Sequence, residues 1–341
     1  MRADQFISKF FLPFSWLYGF GVGIRDMLYD EHILPSFRVH TPTICVGNLA
    51  VGGTGKTPHV EYLIDLLTRN GYRVGVVSRG YGRKTHGLVI ADEHSTAITI
   101  GDEPMLLHAK YPQVYIAVCR NRIHAIHALE RKMDRPDVFI LDDAYQYRAL
   151  RSGFNILLTS HDCLYVDDHL LPAGTLRDLP SQFMRANAIV VTKCPPHMTP
   201  IERRIVMTKL ALPTYQQLYF SHMEFGPSPI DSTPLIVAGI ANPDQMLRSV
   251  QAEWPNAEMM AFSDHHWFTR KDIDRITSAA RNYRYVLTTE KDYARLMALP
   301  LPGELVAKLV AQPYRMVVDD EREELDKSII RYVSEGLHQS R

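Results

Sequence analysis

A glycine-rich stretch near residue 50 constrains this chain more than any other part of its sequence. Residues 51–59 read VGGTGKTPH, between a strand-like apolar run at residues 43–46 and a helical apolar period after residue 59. Glycines leave no side chain in the way, so successive backbone N–H groups can converge on phosphate oxygens at the start of a helix. In such loops a lysine binds the β- and γ-phosphates, and the hydroxyl residue after it binds Mg²⁺. The predicted nucleoside triphosphate site consists of Gly52, Gly53, Thr54, Gly55, Lys56 and Thr57.

This loop departs from the usual phosphate-loop pattern at one position. The pattern G-x-x-x-x-G-K-[ST] requires glycine at position 50, where the chain has Ala50. A compact GG-x-GKT loop also occurs in the MinD/ParA-like ATPases, which carry lysine at the position of Val51. The loop therefore predicts phosphate binding and leaves its subclass open.

Strand-like and helix-like runs alternate along the rest of the chain, which predicts a mostly parallel sheet covered by helices. Residues 88–91 and 97–100 are interpreted as a hairpin. Residues 213–234 have no helical period and contain GPSP, which predicts an extended linker, and a second alternating series follows. The predicted fold is α/β and two-lobed, with an N-terminal interfacial helix over residues 1–28, a phosphate-loop domain over 29–212, a hinge or linker over 213–234 and a smaller α/β lobe over 235–341.

The N-terminal segment is rich in aromatic residues and carries no charge over residues 10–24. As a helix these residues would span about 22 Å, less than the roughly 30 Å of a bilayer's hydrocarbon. Pro13 interrupts the segment and no small-residue cleavage site follows, so a signal peptide is not expected. Aromatic residues flanked by Arg2, Lys9 and Arg25 suit a helix lying on a membrane surface. The alternative is a buried helix packed on the first domain.

Charge and cysteine usage argue against a nucleic-acid-binding protein and against a protein stabilised by disulfides or zinc. The 38 basic and 38 acidic residues balance, whereas nucleic-acid-binding proteins usually have a basic surplus. No nucleic-acid partner is therefore expected. The four cysteines are far apart, with no C-x-x-C pair, which predicts a reduced cytosolic protein without structural zinc.

Two acids, Asp142 and Asp143, directly follow an apolar run at residues 138–141. Carboxylates at the end of a buried strand beside a phosphate loop are typical of a Mg²⁺ site. We therefore predict that Thr57, Asp142 and Asp143 hold Mg²⁺. The sequence leaves open which acid contacts the metal directly.

Candidates for a catalytic base stand in two further motifs. Asp102, in GDEP, precedes a helix-like segment, where a carboxylate can accept a proton from an attacking hydroxyl or can cap the helix. Asp264, His265 and His266 are consecutive, and a histidine beside a carboxylate can orient a base or stand in a surface turn. Residue types and spacing leave these alternatives open.

Eight motifs occur in order within residues 47–296: GGTGKTP, SRGYGR, GDEP, LDDAYQYRAL, LPAGTLRD, VAGIANP, SDHHWFT and TTEKDYARL. This set closely resembles the tetraacyldisaccharide 4′-kinase family. That family uses ATP to phosphorylate the 4′-hydroxyl of the acylated glucosamine disaccharide 1-phosphate precursor of lipid A.

The resemblance implies a two-lobed, phosphate-loop kinase that uses ATP and Mg²⁺ on an acylated disaccharide substrate. It implies a peripheral location on the cytoplasmic face of a Gram-negative inner membrane, with no obligate protein partner evident. It further implies that Asp102 is the base, supported by His265, with His266 the less favoured histidine. The rival interpretation is a membrane-associated MinD/ParA-like switch ATPase, against which Val51, the second lobe and the DHH motif argue.

The chain departs from the family pattern in two motifs. Where the family tends to show DDGxQH, this chain has Ala144 and Tyr147 in place of the glycine and the histidine. Asp178 stands where the family often has glutamate. We expect neither change to abolish activity.

Overall fold

The computed structural model describes residues 10–240, 243–263, 266–319 and 321–339. The chain forms two compact units. The first runs to Met223 and resumes at Met316, and the second spans Glu224–Arg315.

Numbered in chain order, the strands are β1 (Thr43–Asn48), β2 (Val74–Ser78), β3 (Val89–Ile90), β4 (Tyr115–Val118), β5 (Val138–Asp142), β6 (Phe154–Ser160), β7 (Ala188–Thr192), β8 (Gln217–Phe225), β9 (Leu235–Ala238), β10 (Glu258–Ala261), β11 (Val286–Thr289), β12 (Leu309–Gln312) and β13 (Tyr314–Val318). The α-helices are α1 (Leu12–Asp30), α2 (Lys56–Arg69), α3 (Ala97–Ile100), α4 (Asp102–Lys110), α5 (Arg122–Glu130), α6 (Pro200–Leu210), α7 (Pro243–Glu253), α8 (Arg270–Ala279), α9 (Glu290–Met297), α10 (Gly303–Val306) and α11 (Arg322–Gln339). Short 3₁₀ turns occupy Pro180–Arg185 and Ala280–Asn282.

The large sheet has the strand order β13-β8-β7-β6-β1-β5-β2-β4-β3. The pairs from β8 to β4 are parallel, and β3 joins β4 antiparallel. Strand β1 lies between β6 and β5, and its Val46 is in register with Asp142. This pairing places the start of the glycine-rich loop beside the acid-bearing end of β5.

Both faces of this sheet are covered, as a parallel sheet requires. Ile44 and Val46 of β1 face one apolar core and Cys45 faces the other, because successive strand residues point to opposite faces. Helices α2 and α11 contribute to the first core, and α5 and α6 to the second. The α/β class and the mostly parallel sheet predicted from the sequence are confirmed.

The second unit contains a four-stranded sheet in the order β10-β9-β11-β12, and every neighbouring pair is parallel. Helices α7, α8 and α9 pack in the same apolar clusters as this sheet, through Met246, Ile276 and Leu296. Asp292, fully buried, accepts a hydrogen bond from the backbone N–H of Gly239 at 2.7 Å and one from Thr289 Oγ1 at 2.9 Å. The Asp292 carboxylate of the TEKD sequence therefore links the residue after β9 to the end of β11.

The division of the chain differs from the predicted one in two places. Within the expected linker, Gln217–Phe225 forms strand β8 of the large sheet. The described residues from 316 to 339, expected in the C-terminal lobe, belong to the first unit. The reason is that Leu325, Ile329 and Val333 of α11 are buried in the first unit's core. A helical period identifies which residues face a core, but it does not identify which core they face.

The predicted hairpin of residues 88–91 and 97–100 is wrong. Val89–Ile90 is a short strand paired with β4, whereas Ala97–Ile100 is a helical turn. Thr96 and Thr99 form a reciprocal capping box at its start, which satisfies backbone N–H groups that a strand would leave for a partner.

Helix α1 has an unusual distribution of polarity. Its buried residues include Ser15 and Asp26, while Trp16 and Phe20 are 73% and 69% exposed. Ser15 Oγ donates to the carbonyl oxygen of Leu170 at 2.8 Å. Within the described part of the chain, no helix has both the length and the apolarity needed to cross a bilayer.

Candidate active site

The glycine-rich loop connects β1 to α2 and ends on a residue in a left-handed conformation. Gly55 has φ of 81° and stands at the N-cap position of α2, so Lys56 and Thr57 are the first two helical residues. Gly52 also has positive φ, at 108°. Glycine adopts these backbone angles without the steric cost that a side chain would add. The N–H groups at this helix start lack partners within the helix and Pro58 has none, which makes the loop suitable for an anion.

Two further contacts hold the loop in place. The backbone N–H of Val51 donates to the carbonyl oxygen of Thr175 at 2.8 Å, and that of Thr54 donates to Gly52 at 3.1 Å. Thr54 is buried, and its hydroxyl has no hydrogen-bond partner among the described residues.

Lys56 points towards the ends of β1 and β5. Its Nζ lies 3.3 Å from Asn48 Oδ1 and 3.8 Å from Asp143 Oδ1. Burial lowers the pKa of Lys56, and the charge of Asp143 opposes that shift. The loop lysine and a predicted metal-binding acid are therefore within ion-pair distance.

The two consecutive acids have different environments. Asp142 is buried and accepts a hydrogen bond from Ser78 Oγ at 3.1 Å; burial, followed by the charge of Asp143, raises its pKa to about 6. Asp143 has φ of 47°, and its side chain is partly exposed. Burial acts to raise the pKa of Asp143, but the hydrogen bonds and charge of Arg177, with the charge of Lys56, lower it overall. The buried carboxyl of Asp142 thus has a raised pKa, whereas the carboxylate of Asp143 is already paired with Lys56 and Arg177.

Arg177 completes this cluster and was not identified from the sequence. Its Nη1 donates to Asp143 Oδ2 at 3.1 Å and its Nη2 to the other oxygen of that carboxylate and to Asn48 Oδ1 at 2.6 Å. Asn48 was missed as well, although it ends β1 directly before the loop. Arg177 stood in the LPAGTLRD motif, where attention to polar residues beside Asp178 would have found it.

Tyr147, which stands where the family tends to have histidine, contacts a buried arginine. Arg122 lies 4.9 Å from the centre of the Tyr147 ring, and its Nη2 is 3.4 Å from the carbonyl oxygen of Asp143. The Tyr147 hydroxyl donates to Asn121 Oδ1 at 3.2 Å. Burial lowers the pKa of Arg122. The tyrosine therefore packs on a cation beside the acidic pair.

The two acids of the GDEP motif begin helix α4. Gly101 is at the N-cap position and Asp102 is the first helical residue. The charge of Glu103 acts to raise the pKa values of Lys56 and Asp142, which puts this acid in the electrostatic surroundings of the loop. The start of α4 is therefore close enough to the phosphate loop for the charge of Glu103 to act on Lys56.

Of the histidine pair, His265 lies outside the described residues. His266 Nε2 is 3.0 Å from Asp272 Oδ2, and its ring lies 4.8 Å from that of Phe262. Bonds from Thr269, and then the contact with His266, lower the pKa of Asp272 to about 2. His266 therefore belongs to the capping arrangement at the start of α8.

The oxygen donors Thr57, Asp142 and Asp143 fit Mg²⁺, which commonly takes one or two carboxylates and completes its shell with phosphate and water. The raised pKa of the Asp142 carboxyl supports this, because a nearby cation would favour its charged form. Among the described residues, no group of three or more His, Cys, Asp or Glu side chains has a metal-binding arrangement. A closed metal cage made of protein alone is thus not found there.

A glycine-rich loop between a central parallel strand and a helix, with acids at the end of the adjacent strand, defines a phosphate-loop nucleotide-binding protein. The chain matches the family model for tetraacyldisaccharide-1-P 4′-kinase over residues 7–333. It therefore belongs to that family, as its ordered motifs predict.

Individual relatives agree with this assignment. The chain is 42% identical over 343 residues to the tetraacyldisaccharide 4′-kinase of Flavobacterium johnsoniae, covering 97% of this chain and 98% of that protein. It is 40% identical over 363 residues to the enzyme of that name from Bacteroides thetaiotaomicron, covering 98% and 95%. A crystal structure of LpxK from Aquifex aeolicus in complex with ATP matches with a TM-score of 0.73 and 30% identity, covering 96% and 99% of the two chains.

Proposed function

We propose that this protein transfers the γ-phosphoryl group of ATP to the 4′-hydroxyl of a tetraacylated glucosamine disaccharide 1-phosphate. The product is the 1,4′-bisphosphorylated lipid A precursor. The observation that carries this proposal is membership of the kinase family over nearly the whole chain. The ATP complex of the Aquifex aeolicus protein supports ATP as the phosphoryl donor. The switch-ATPase alternative is not favoured, because the full-length relatives are lipid-sugar kinases.

The phosphate loop holds the nucleotide in this proposal. Backbone N–H groups of Gly52, Gly53 and Gly55, with those at the start of α2, face the phosphates, while Thr54, whose own N–H donates to Gly52, keeps the loop in shape. Lys56 binds the β- and γ-phosphates as a point charge. The support is the position of Lys56 at the helix start and its ion-pair distance from Asp143. Most of the catalysis in phosphoryl transfer is positioning and charge stabilisation, which this arrangement supplies.

Thr57, Asp142 and Asp143 are the residues that would hold Mg²⁺. When bound, the ion neutralises charge on the phosphate oxygens. We assign the closer role to Asp142, because Asp143 is already engaged by Lys56 and Arg177. Ser78 orients the Asp142 carboxylate through the hydrogen bond to its Oδ2.

Asp102 is our candidate for the base that takes the proton of the sugar hydroxyl, and the family resemblance pairs it with His265. Asp102→Asn should slow single-turnover transfer by about 100-fold or more while leaving nucleotide binding within about twofold. Glu103→Gln tests whether the neighbouring acid has this role instead, since the charge of Glu103 acts on both Lys56 and Asp142. A larger loss for the Glu103 variant, or an equal loss of nucleotide binding in the Asp102 variant, would contradict this role.

Helix α1 brings the enzyme to its acylated substrate in this proposal. A helix that buries serine and aspartate while exposing Trp16 and Phe20 leaves large apolar side chains in water, an arrangement that suits a bilayer surface. We place the protein as a peripheral protein on the cytoplasmic face of the Gram-negative inner membrane, where ATP and the lipid precursor meet.

The reaction is tested with purified full-length protein, γ-labelled ATP and the acylated disaccharide 1-phosphate. We expect label in the lipid, at the 4′ position of the bisphosphorylated product. Label in inorganic phosphate alone would support the switch-ATPase alternative and refute the kinase assignment.

A further inference from the structure

The side chain of His59 joins the phosphate loop to strand β8. Its Nδ1 lies 2.7 Å from the carbonyl oxygen of Gly55, and its Nε2 lies 3.1 Å from Ser221 Oγ. The backbone N–H of His59 also faces the Gly55 carbonyl, at 3.4 Å. The ring, only 5% exposed, therefore supplies the shorter of two hydrogen bonds to that oxygen.

These two contacts determine which ring nitrogen carries the proton. A carbonyl oxygen only accepts, so Nδ1 must donate to Gly55. The other ring nitrogen, Nε2, faces the hydroxyl of Ser221, which can donate as well as accept. In a neutral ring Nε2 then accepts from the hydroxyl of Ser221, whose alternative acceptor, the Val191 carbonyl, is farther away at 3.5 Å. The hydrogen bonds thus run from Ser221 through His59 to Gly55.

The Gly55 carbonyl belongs to the peptide group whose N–H is that of Lys56. In a trans peptide the C=O and N–H point in opposite directions, so holding the carbonyl towards the ring fixes the direction of the Lys56 N–H away from it. Gly55 has no side chain to limit its backbone angles, and the helical hydrogen bond from the His59 N–H to this carbonyl is long at 3.4 Å, so backbone contacts alone hold this peptide weakly. A bond to a buried side chain removes that freedom.

We propose that His59 is a positioning residue that holds the Gly55–Lys56 peptide with its N–H directed at the nucleotide phosphates. It acts only through the Gly55 carbonyl, which selects the tautomer with the proton on Nδ1, while Ser221 of β8 holds the other side of the ring in place. This inference rests on the proposed nucleotide site and adds a residue that the motif alone does not assign.

Two variants separate this role from a general contribution to packing. In His59→Asn the side-chain amide occupies nearly the position of Nδ1, so the bond to Gly55 can be kept while that to Ser221 is lost. In His59→Gln the amide reaches the position of Nε2, so the bond to Ser221 can be kept while that to Gly55 is lost. Each variant loses one neutral hydrogen bond, which makes their effects on stability comparable.

The measurement is the affinity of the full-length protein for a fluorescent ATP analogue with Mg²⁺, in the absence of lipid. We expect binding within about twofold of wild type for His59→Asn and about fivefold weaker for His59→Gln, the equivalent of one neutral hydrogen bond. The KM for ATP should follow the same order, with kcat changed less. Equal affinities for the two variants, whether reduced or unchanged, would overturn the proposal.

A second measurement uses the wild-type protein and does not depend on how the variants fold. Nitrogen-15 spectra of histidine-labelled protein should show the proton of the His59 ring on Nδ1, and a proton on Nε2 would overturn the proposal. Because the binding measurement and the nitrogen-15 spectra do not use the lipid, a failure of phosphoryl transfer would count against the proposed function without affecting these two results for His59.

Discussion

Arg177 and Asp178 are neighbours in the chain, and each forms an ion pair with a different part of the first unit. Arg177 holds both carboxylate oxygens of Asp143 beside Lys56. Asp178 accepts a hydrogen bond at 3.2 Å from Arg25 Nη2 of helix α1. One short segment therefore connects the apolar surface helix to the candidate active site.

Replacing Arg177 should weaken catalysis because Asp143 would lose a two-point hydrogen-bonded partner. We expect Arg177→Ala to lower kcat/KM by about 10- to 100-fold, a range reduced for the partial exposure of Asp143. Arg177→Lys keeps the charge but lacks the planar fork and should fall between alanine and wild type. Steady-state kinetics with varied ATP provide the measurement.

The control for this prediction is Arg203→Lys, which alters an arginine that pairs with a different carboxylate, that of Asp319. Its kcat/KM should stay within about twofold of wild type. An Arg177→Ala enzyme as active as the control variant would contradict the role of this cluster.

Asp178 should make the protein less stable as pH rises, the opposite of the usual effect of a carboxyl group. Burial, and then the charge of Asp26, raises the pKa of Asp178 to about 6. A carboxyl with a raised pKa binds its proton more tightly in the folded state, so this contribution to the free energy of unfolding is lost as pH rises from about 4 to about 6. Asp178→Asn removes that loss and should stabilise the protein at pH 7 by about 1–3 kcal/mol.

Urea unfolding between pH 4 and pH 7 measures this effect. The advantage of the asparagine variant should shrink towards zero near pH 4. Asp65→Asn, which changes an exposed carboxylate on α2, serves as the comparison. An Asp178→Asn variant that is less stable than wild type at pH 7 would show that the ion pair with Arg25 outweighs the cost of burying the carboxylate.

The exposed apolar side chains of α1 should determine membrane binding. The double variant Trp16→Ser with Phe20→Ser should reduce partitioning onto vesicles of phosphatidylethanolamine and phosphatidylglycerol by at least about tenfold, because each side chain loses apolar burial. Met133→Ser is the matched control, since Met133 is a fully exposed apolar residue elsewhere. Equal vesicle binding by the double variant and wild type would contradict the interfacial role of α1.

Gly47 in strand β1 should not tolerate a side chain. A Cβ atom at this position would lie 2.5 Å from the Cβ of Tyr145 and 3.1 Å from its backbone nitrogen. Gly47→Ala should lower the free energy of unfolding by about 1–3 kcal/mol, as expected for overpacking. Gly21→Ala in α1 meets no atom within 4 Å and should be neutral or stabilising by up to about 1 kcal/mol. Comparison of urea midpoints checks both, and equal shifts would contradict this account.

The residues predicted from the sequence are those whose role follows from local pattern. Lys56 is placed by its loop, and Asp142 and Asp143 by the end of an apolar strand, so parallel pairing of β1 and β5 brings them together. Asn48 and Arg177 join the same cluster from separate segments, and their contacts depend on tertiary packing that no spacing expresses.

His59 and helix α11 show the same difference between what local pattern predicts and what tertiary packing decides. His59 stood inside the predicted loop motif, but its function depends on Ser221, which is 162 residues away in sequence. The amphipathic pattern of α11 is typical of a helix, but it does not show that Leu325 and its apolar neighbours pack in the core of the first unit. Local sequence pattern predicts helices and strands, whereas which of them pack together depends on contacts between residues that are distant in sequence.

In the proposed reaction, Lys56 of the phosphate loop binds the phosphoryl group that is transferred to the lipid. The most direct measurement is the rate at which label from γ-labelled ATP appears in the acylated disaccharide 1-phosphate, compared between wild type and Lys56→Ala under saturating lipid. Loss of the phosphate-binding charge should lower that rate by about 100- to 1,000-fold. Transfer to lipid that continues in the Lys56→Ala protein at a rate near wild type would contradict the account.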